Sequence, residues 1–130
     1  QFCPDYYLVM NIAKKCNVYV IHELLVNYRK TKNSLTYQKP HRWSVEVKIT
    51  LDSIFKNDST LKNKIPKLIQ VAYAKVYYKK ADYFFIRGRK KLAINSMKKI
   101  KYVNIKYFIL FLLSILGSNF WNLIHNMFKK

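Results

Sequence analysis

The sequence predicts a mainly α-helical chain in which a helix and two short strands lead into a helical extension. Three observations carry that prediction. Only two glycines and three prolines punctuate the 130 residues, which favours long helices over a turn-rich β fold. Apolar residues recur at helical spacing along most of the chain. The composition is 51% hydrophobic and 16% aromatic, ample for a packed core and incompatible with general disorder.

The first predicted helix runs from Asp5 to Cys16. Leu8, Val9, Ile12, Ala13 and Cys16 form the apolar stripe of its 3.6-residue period. Pro4 suits the first turn, where a backbone donor is not needed, and Asp5 complements the positive end of the helix dipole. Lys14 and Lys15 occupy the last turn and Asn17 can stop it. Val18-Tyr19-Val20-Ile21 is β-branched and aromatic, hence a strand, and Glu23 to Arg29 can form a second. The polar run Lys30-Thr31-Lys32-Asn33-Ser34 then reads as a turn.

Beyond Pro40, the residues Trp43, Val47, Leu51, Ile54 and Phe55 mark one face of a helix reaching about Lys56. Asn57-Asp58-Ser59-Thr60 is loop chemistry, with Ser59 or Thr60 expected to cap the next helix. Pro66 is placed in the first turn of a long helix carrying Leu68, Ile69, Ala72, Tyr73, Val76, Tyr77, Ala81 and Phe84. Gly88 is expected in a turn, before a helix with Leu92, Ala93, Met97 and Ile100. The most apolar run, Tyr107 to Leu116, falls short of the ~20 residues that span a bilayer, and Gly117-Ser118-Asn119 interrupts it. Phe120, Trp121, Leu123, Ile124 and Phe128 predict a terminal amphipathic helix. This tail is expected either to complete the bundle or to lie in a membrane interface.

Charge narrows the function classes. The net charge is +19, which attracts phosphates on lipid headgroups or nucleic acid. Lysines on solvated helix faces also account for such a balance. Arginines are not clustered and no known nucleic-acid-binding module is present, which argues against nucleic acid. Cys3 and Cys16 form no metal pattern, and His22, His41 and His125 stand far apart. The six acidic residues are scattered and offer no paired-carboxylate site, so a hydrolase or nuclease is disfavoured.

Two resemblances add to this reading. Asp5 opening a helix, Ala13-Lys14-Lys15, a short strand, Glu23-Leu24-Leu25-Val26, then Tyr28-Arg29 and Asn33-Ser34-Leu35-Thr36 together resemble the C-terminal end of family 2 glycosyltransferases. These GT-A-fold enzymes use nucleotide-diphosphate sugars. The resemblance implies that Asp5 is the general base deprotonating the acceptor hydroxyl and that Arg29 binds substrate. Pro4 stands where the family usually has Glu, and Thr31 where a His is common. The chemistry suits the residue type: inverting transfer needs a carboxylate to take the proton of the attacking hydroxyl. In the extension, Tyr77, Ala81, Phe84, Gly88, Ala93 and Met97 resemble one tetratricopeptide helix pair, without the Pro that usually ends it.

The expected organisation is therefore residues 1–37 as the C-terminal end of a GT-A-like α/β domain and residues 38–130 as a cationic helical extension. Within the latter, a hairpin is expected at about 66–104 and apolar terminal helices at 105–130. The chain is expected to be part of a longer protein, because Gln1-Phe2-Cys3-Pro4 is neither an initiator Met nor a charged leader, and it contains no Asp-x-Asp and no Gly-rich phosphate loop of its own. Donor and divalent metal (Mg or Mn) would bind outside it, leaving this portion inactive alone. The implied partners are a nucleotide-sugar donor, a glycan or lipid-linked acceptor, and an anionic membrane contacted peripherally from the cytoplasmic side. The alternative is a stand-alone basic helical adaptor binding a membrane surface, a protein or nucleic acid.

Overall fold

The computed structural model describes residues 4–27, 29, 31, 40–56, 58–117 and 120–121. The protein is mainly α-helical. It divides into two compact units, Gln1–Asn57 and Asp58–Lys130. The boundary expected at 37/38 falls outside the described residues.

In the first unit, α1 (Pro4–Ala13) and α2 (Pro40–Lys56) pack together. The ladder of α1 ends in a turn in which Lys15 and Cys16 both donate to the Ile12 carbonyl at 2.9 Å. The apolar stripe that marks α1 as a helix is not its covered side: Leu8, Val9 and Ile12 are all exposed. Tyr6 and Met10 are instead half-buried. Periodicity locates a stripe but not the neighbour that must cover it.

The two predicted strands are also not observed among the described residues. Residues 17–27 run without regular structure, and Val18, Tyr19, Val20 and Ile21 are exposed. A strand is held by hydrogen bonds to a neighbouring strand, and no ladder partner is present among the described residues. Tyr28 lies outside them.

On α2 the expected face is the inward one, with Val47, Leu51, Ile54 and Phe55 all buried. The buried Ser44 hydroxyl donates to the His41 carbonyl at 3.1 Å, so it carries no unsatisfied donor.

The second unit opens with α3 (Ser59–Lys64). Its cap is Asp58 rather than Ser59 or Thr60. The Asp58 Oδ1 accepts from the Leu61 amide at 3.2 Å and from the Thr60 hydroxyl at 2.5 Å. A carboxylate one residue earlier thus reaches the orphan amide, and the threonine supports it. Pro66 cannot donate to the ladder and disfavours helical geometry in the residue before it. The chain therefore breaks at Ile65 (φ −132°, ψ 46°) and restarts as α4 (Pro66–Ile86), with Pro66 in its first turn.

The exit from α4 is set by Gly88, at φ +69°. Its amide donates to the Phe85 carbonyl at 3.0 Å, and the Arg89 amide donates to the Phe84 carbonyl at 2.9 Å. This paired pattern is the Schellman motif, which needs a left-handed residue where glycine carries no Cβ penalty. Helix α5 (Lys90–Lys98) then folds back on α4. The ammonium of Lys99 sits 5.0 Å from the ring of Tyr77. That pair lies eleven residues either side of Gly88, so the two helices run antiparallel about it.

A series of turns from Lys99 to Val103 leads to Asn104, whose Oδ1 accepts from the Tyr107 amide at 3.0 Å and caps α6 (Ile105–Leu116). The core joins all three helices. Ala74, Ala81 and Phe85 of α4 meet Ala93 and Met97 of α5, Ile100, and Tyr107, Leu110 and Phe111 of α6. Alanines at 74 and 81 recur every two turns and let the neighbouring helices approach closely. Trp121 closes this core, stacked on Phe85 with centroids 4.5 Å apart and rings 20° from parallel. The remainder of the expected terminal helix, residues 122–130, lies outside the described residues.

Candidate functional site

Asp5 lies in the first turn of α1 and is exposed. Helix propagation behind it fixes its backbone. Further along α1, the Asn11 amide side chain donates to the Tyr7 carbonyl at 2.8 Å. Beside Asp5, burial raises the pKa of the Tyr6 phenol above its ordinary value. Tyr7 lines an open depression of about 290 Å³ with Glu46, Ile49 and Thr50 of α2. Its walls come from i, i+3 and i+4 positions on one face of α2, beside the face on which Val47 and Leu51 are buried.

Arg29 is exposed, as is Thr31. Among the described residues, no hydrogen bond or ion pair joins Asp5 to Arg29. The stretch between them is irregular and exposed beyond α1, with a tight turn where the Leu25 amide donates to the Glu23 carbonyl at 3.1 Å.

The other aspartates differ from Asp5. Asp52 pairs with Lys48 at 2.5 Å in an exposed i, i+4 arrangement that contributes little to stability. Asp58 caps α3. Asp82 accepts from the Trp121 indole N–H at 3.4 Å. Those three aspartates are engaged in holding the fold, whereas Asp5 faces solvent at a helix start; Glu23 is also exposed, but on irregular chain. Among the described residues, no group of three or more His, Cys, Asp or Glu could hold a metal ion. None of them is therefore assigned to the divalent ion that the resemblance implies.

A second concavity, of about 170 Å³, follows the seam of the hairpin between Tyr77, Lys80 and Phe84 on α4 and Leu92 and Asn95 on α5, with Lys99 just past its end. Lysine ammonium groups lie over its aromatic walls, Lys99 on Tyr77 and Lys80 on Phe84 at 6.0 Å. Such contacts contribute roughly 0.5–1 kcal/mol at exposed sites. Neither concavity is singled out by the sequence. The Tyr77–Phe84 spacing reads there only as a packing pattern, although lysines interleaved with aromatics at helical spacing carry the signal for the second.

Helix α6 has two apolar faces. Tyr107, Leu110, Phe111 and Ser114 are buried, while Ile105, Phe108, Ile109, Leu112, Ile115 and Leu116 are exposed. Among the described residues, no helix is long and apolar enough to cross a membrane. No family model, curated protein or solved structure matches this chain.

Proposed function

We propose that this chain is the C-terminal portion of a family 2-like glycosyltransferase, in which Asp5 is the general base of sugar transfer. The observation that carries the reading is Asp5 itself, an exposed carboxylate on the first turn of a helix and without the structural tasks of Asp52, Asp58 and Asp82. A rigid helix start is a suitable support for a base that must meet an acceptor hydroxyl. In the proposed reaction the Asp5 carboxylate takes the hydroxyl proton as that oxygen attacks the anomeric carbon. The bond to the nucleoside diphosphate breaks, and the configuration inverts. Arg29 contributes positive charge toward the substrate. The donor site and the Mg or Mn ion belong to residues outside this chain, so this portion transfers no sugar alone.

The antiparallel pair about Gly88, with Ala81, Ala93 and Met97 inaccessible, supports reading the extension as one tetratricopeptide-like unit. The acceptor is a cell-surface glycan or a lipid-linked precursor, and the enzyme works at the cytoplasmic face of a membrane.

The test uses the longer gene product containing this stretch, assayed with a panel of nucleotide-diphosphate sugars and lipid-linked acceptors. Asp5→Asn is expected to lower kcat by about 10²–10⁴ while donor affinity stays within about twofold, as for loss of a general base. A variant with wild-type kcat would remove Asp5 from that role. A longer protein without a nucleotide-sugar site would refute the reading as a whole. The second reading, a basic helical adaptor, is favoured by the exposed outer face of α6.

A further inference from the structure

We propose that the outer face of α6 seats the chain on an anionic lipid surface. Successive α-helical residues are turned by about 100°. On that spacing Ile105, Phe108, Ile109, Leu112, Ile115 and Leu116 fall within roughly a third of the helix circumference. The opposite side carries Tyr107, Leu110, Phe111 and Ser114, which are buried in the three-helix core. The core therefore fixes the rotation of α6 and holds the outer face in solvent. Leu112 and Leu116 are 47% and 63% exposed. Scattered exposed apolar residues are ordinary, but a contiguous apolar face marks an interaction surface.

Charge identifies the occupant. No acidic residue follows Asp82, whereas ten lysines and arginines do. Lys106 is exposed in the first turn of α6, and Lys98 and Lys99 are exposed at the C-terminal end of α5. A second copy of the chain, at net charge +19, would bring like charge against like charge. An anionic bilayer answers both features, taking the apolar side chains at the headgroup boundary while lysines meet lipid phosphates. No described helix is long and apolar enough to cross a membrane, so α6 lies along the surface. This inference stands apart from the assignment of Asp5, because lipid attachment requires no sugar transfer.

The experiment is co-flotation of the 130-residue chain with vesicles of phosphatidylcholine alone or with about a third phosphatidylglycerol. Capture by the anionic vesicles at low salt is expected, with little capture by neutral ones. Raising the salt to about 1 M should weaken it, because screening shortens the reach of the lysines. Leu112→Asp is expected to lower partitioning about tenfold or more, with an unchanged circular dichroism spectrum. Leu112→Ser serves as the second variant should the aspartate disturb folding, and a several-fold loss is expected of it. Equal capture by neutral vesicles would overturn the proposal. So would a folded Leu112→Asp chain that binds as wild type. So would a concentration-dependent dimer abolished by Leu112→Asp in a chain that binds no vesicles.

Discussion

Replacing Trp121 by alanine should remove the side chain on which the second unit's core closes. The indole is 1% exposed. It stacks on Phe85 at 4.5 Å and lies 5.7 Å from the Tyr78 ring. Truncating a buried tryptophan to alanine costs about 3–5 kcal/mol through lost burial and the cavity left behind. The aromatic pairing places this site toward the upper half of that range. The indole donation to Asp82, at 3.4 Å, is long and adds roughly 0.5 kcal/mol. A loss of about 4 kcal/mol is a large share of a domain's ~5–15 kcal/mol. Trp121→Phe keeps an aromatic ring against Phe85 but gives up volume and the N–H donor, so about 1–2 kcal/mol is expected. Urea unfolding followed by far-UV circular dichroism reads both as a lower midpoint at constant slope. In a cycle with Asp82→Asn, the coupling to Trp121→Phe should stay under about 1 kcal/mol, as befits a long bond. A Trp121→Ala chain losing less than about 1 kcal/mol would refute the reasoning, since no indole closing a core can be lost so cheaply.

Two further predictions concern the hairpin. The Tyr78 phenol is pushed up to about 12 from its ordinary 10, first by burial, then by the charge of Asp82 and by Tyr107. Below pH 10 the phenol is neutral in both states; between 10 and 12 the unfolded chain releases the proton first. The folded state then binds more protons, so stability is fully present below pH 10 and falls as pH rises toward 12. Allowing for solvent screening of a partly exposed ring, the loss is about 1 kcal/mol, checked by alkaline denaturation against Tyr78→Phe. Indistinguishable profiles would contradict it. Gly88→Ala meets no atom within 4 Å of the added Cβ, yet the φ of +69° remains. The cost is therefore conformational, about 1–2 kcal/mol, with Gly88→Asn milder. An unchanged melting temperature for the alanine variant would show that the turn can be remade.

How much is legible in the sequence differs from place to place. The hairpin is readable because its signals are local: Pro66 starts α4, Gly88 ends it, and Ala81, Ala93 and Met97 recur at helical spacing. The buried face of α2 is readable for the same reason, since Val47, Leu51, Ile54 and Phe55 leave one choice of inward side. The cap of α3 lies one or two residues from where the sequence points, because Asp58, Ser59 and Thr60 can each serve and only the backbone path decides. Val18 to Ile21 have strand-forming side chains, but a strand also requires a neighbour, and composition cannot supply one. Asp5 is marked in the sequence only through a resemblance. Its exposure and the engagement of the other three aspartates become visible only in three dimensions.

By itself the sequence determined that this protein is helical, where its long helices break, and that its C-terminal third carries positive charge alone. Those properties depend on propensity, on proline and glycine geometry and on composition, all of which act within a few residues. The tertiary structure decided which apolar stripes are covered. It left Leu8, Val9 and Ile12 of α1 in the open and buried Trp121 against Phe85. It also split α6 into a core face and an outer face, and the covered face is the one with Tyr107 and Ser114, not the all-apolar one. Burial is a property of the group that stands opposite a side chain, and only the packed chain specifies that neighbour.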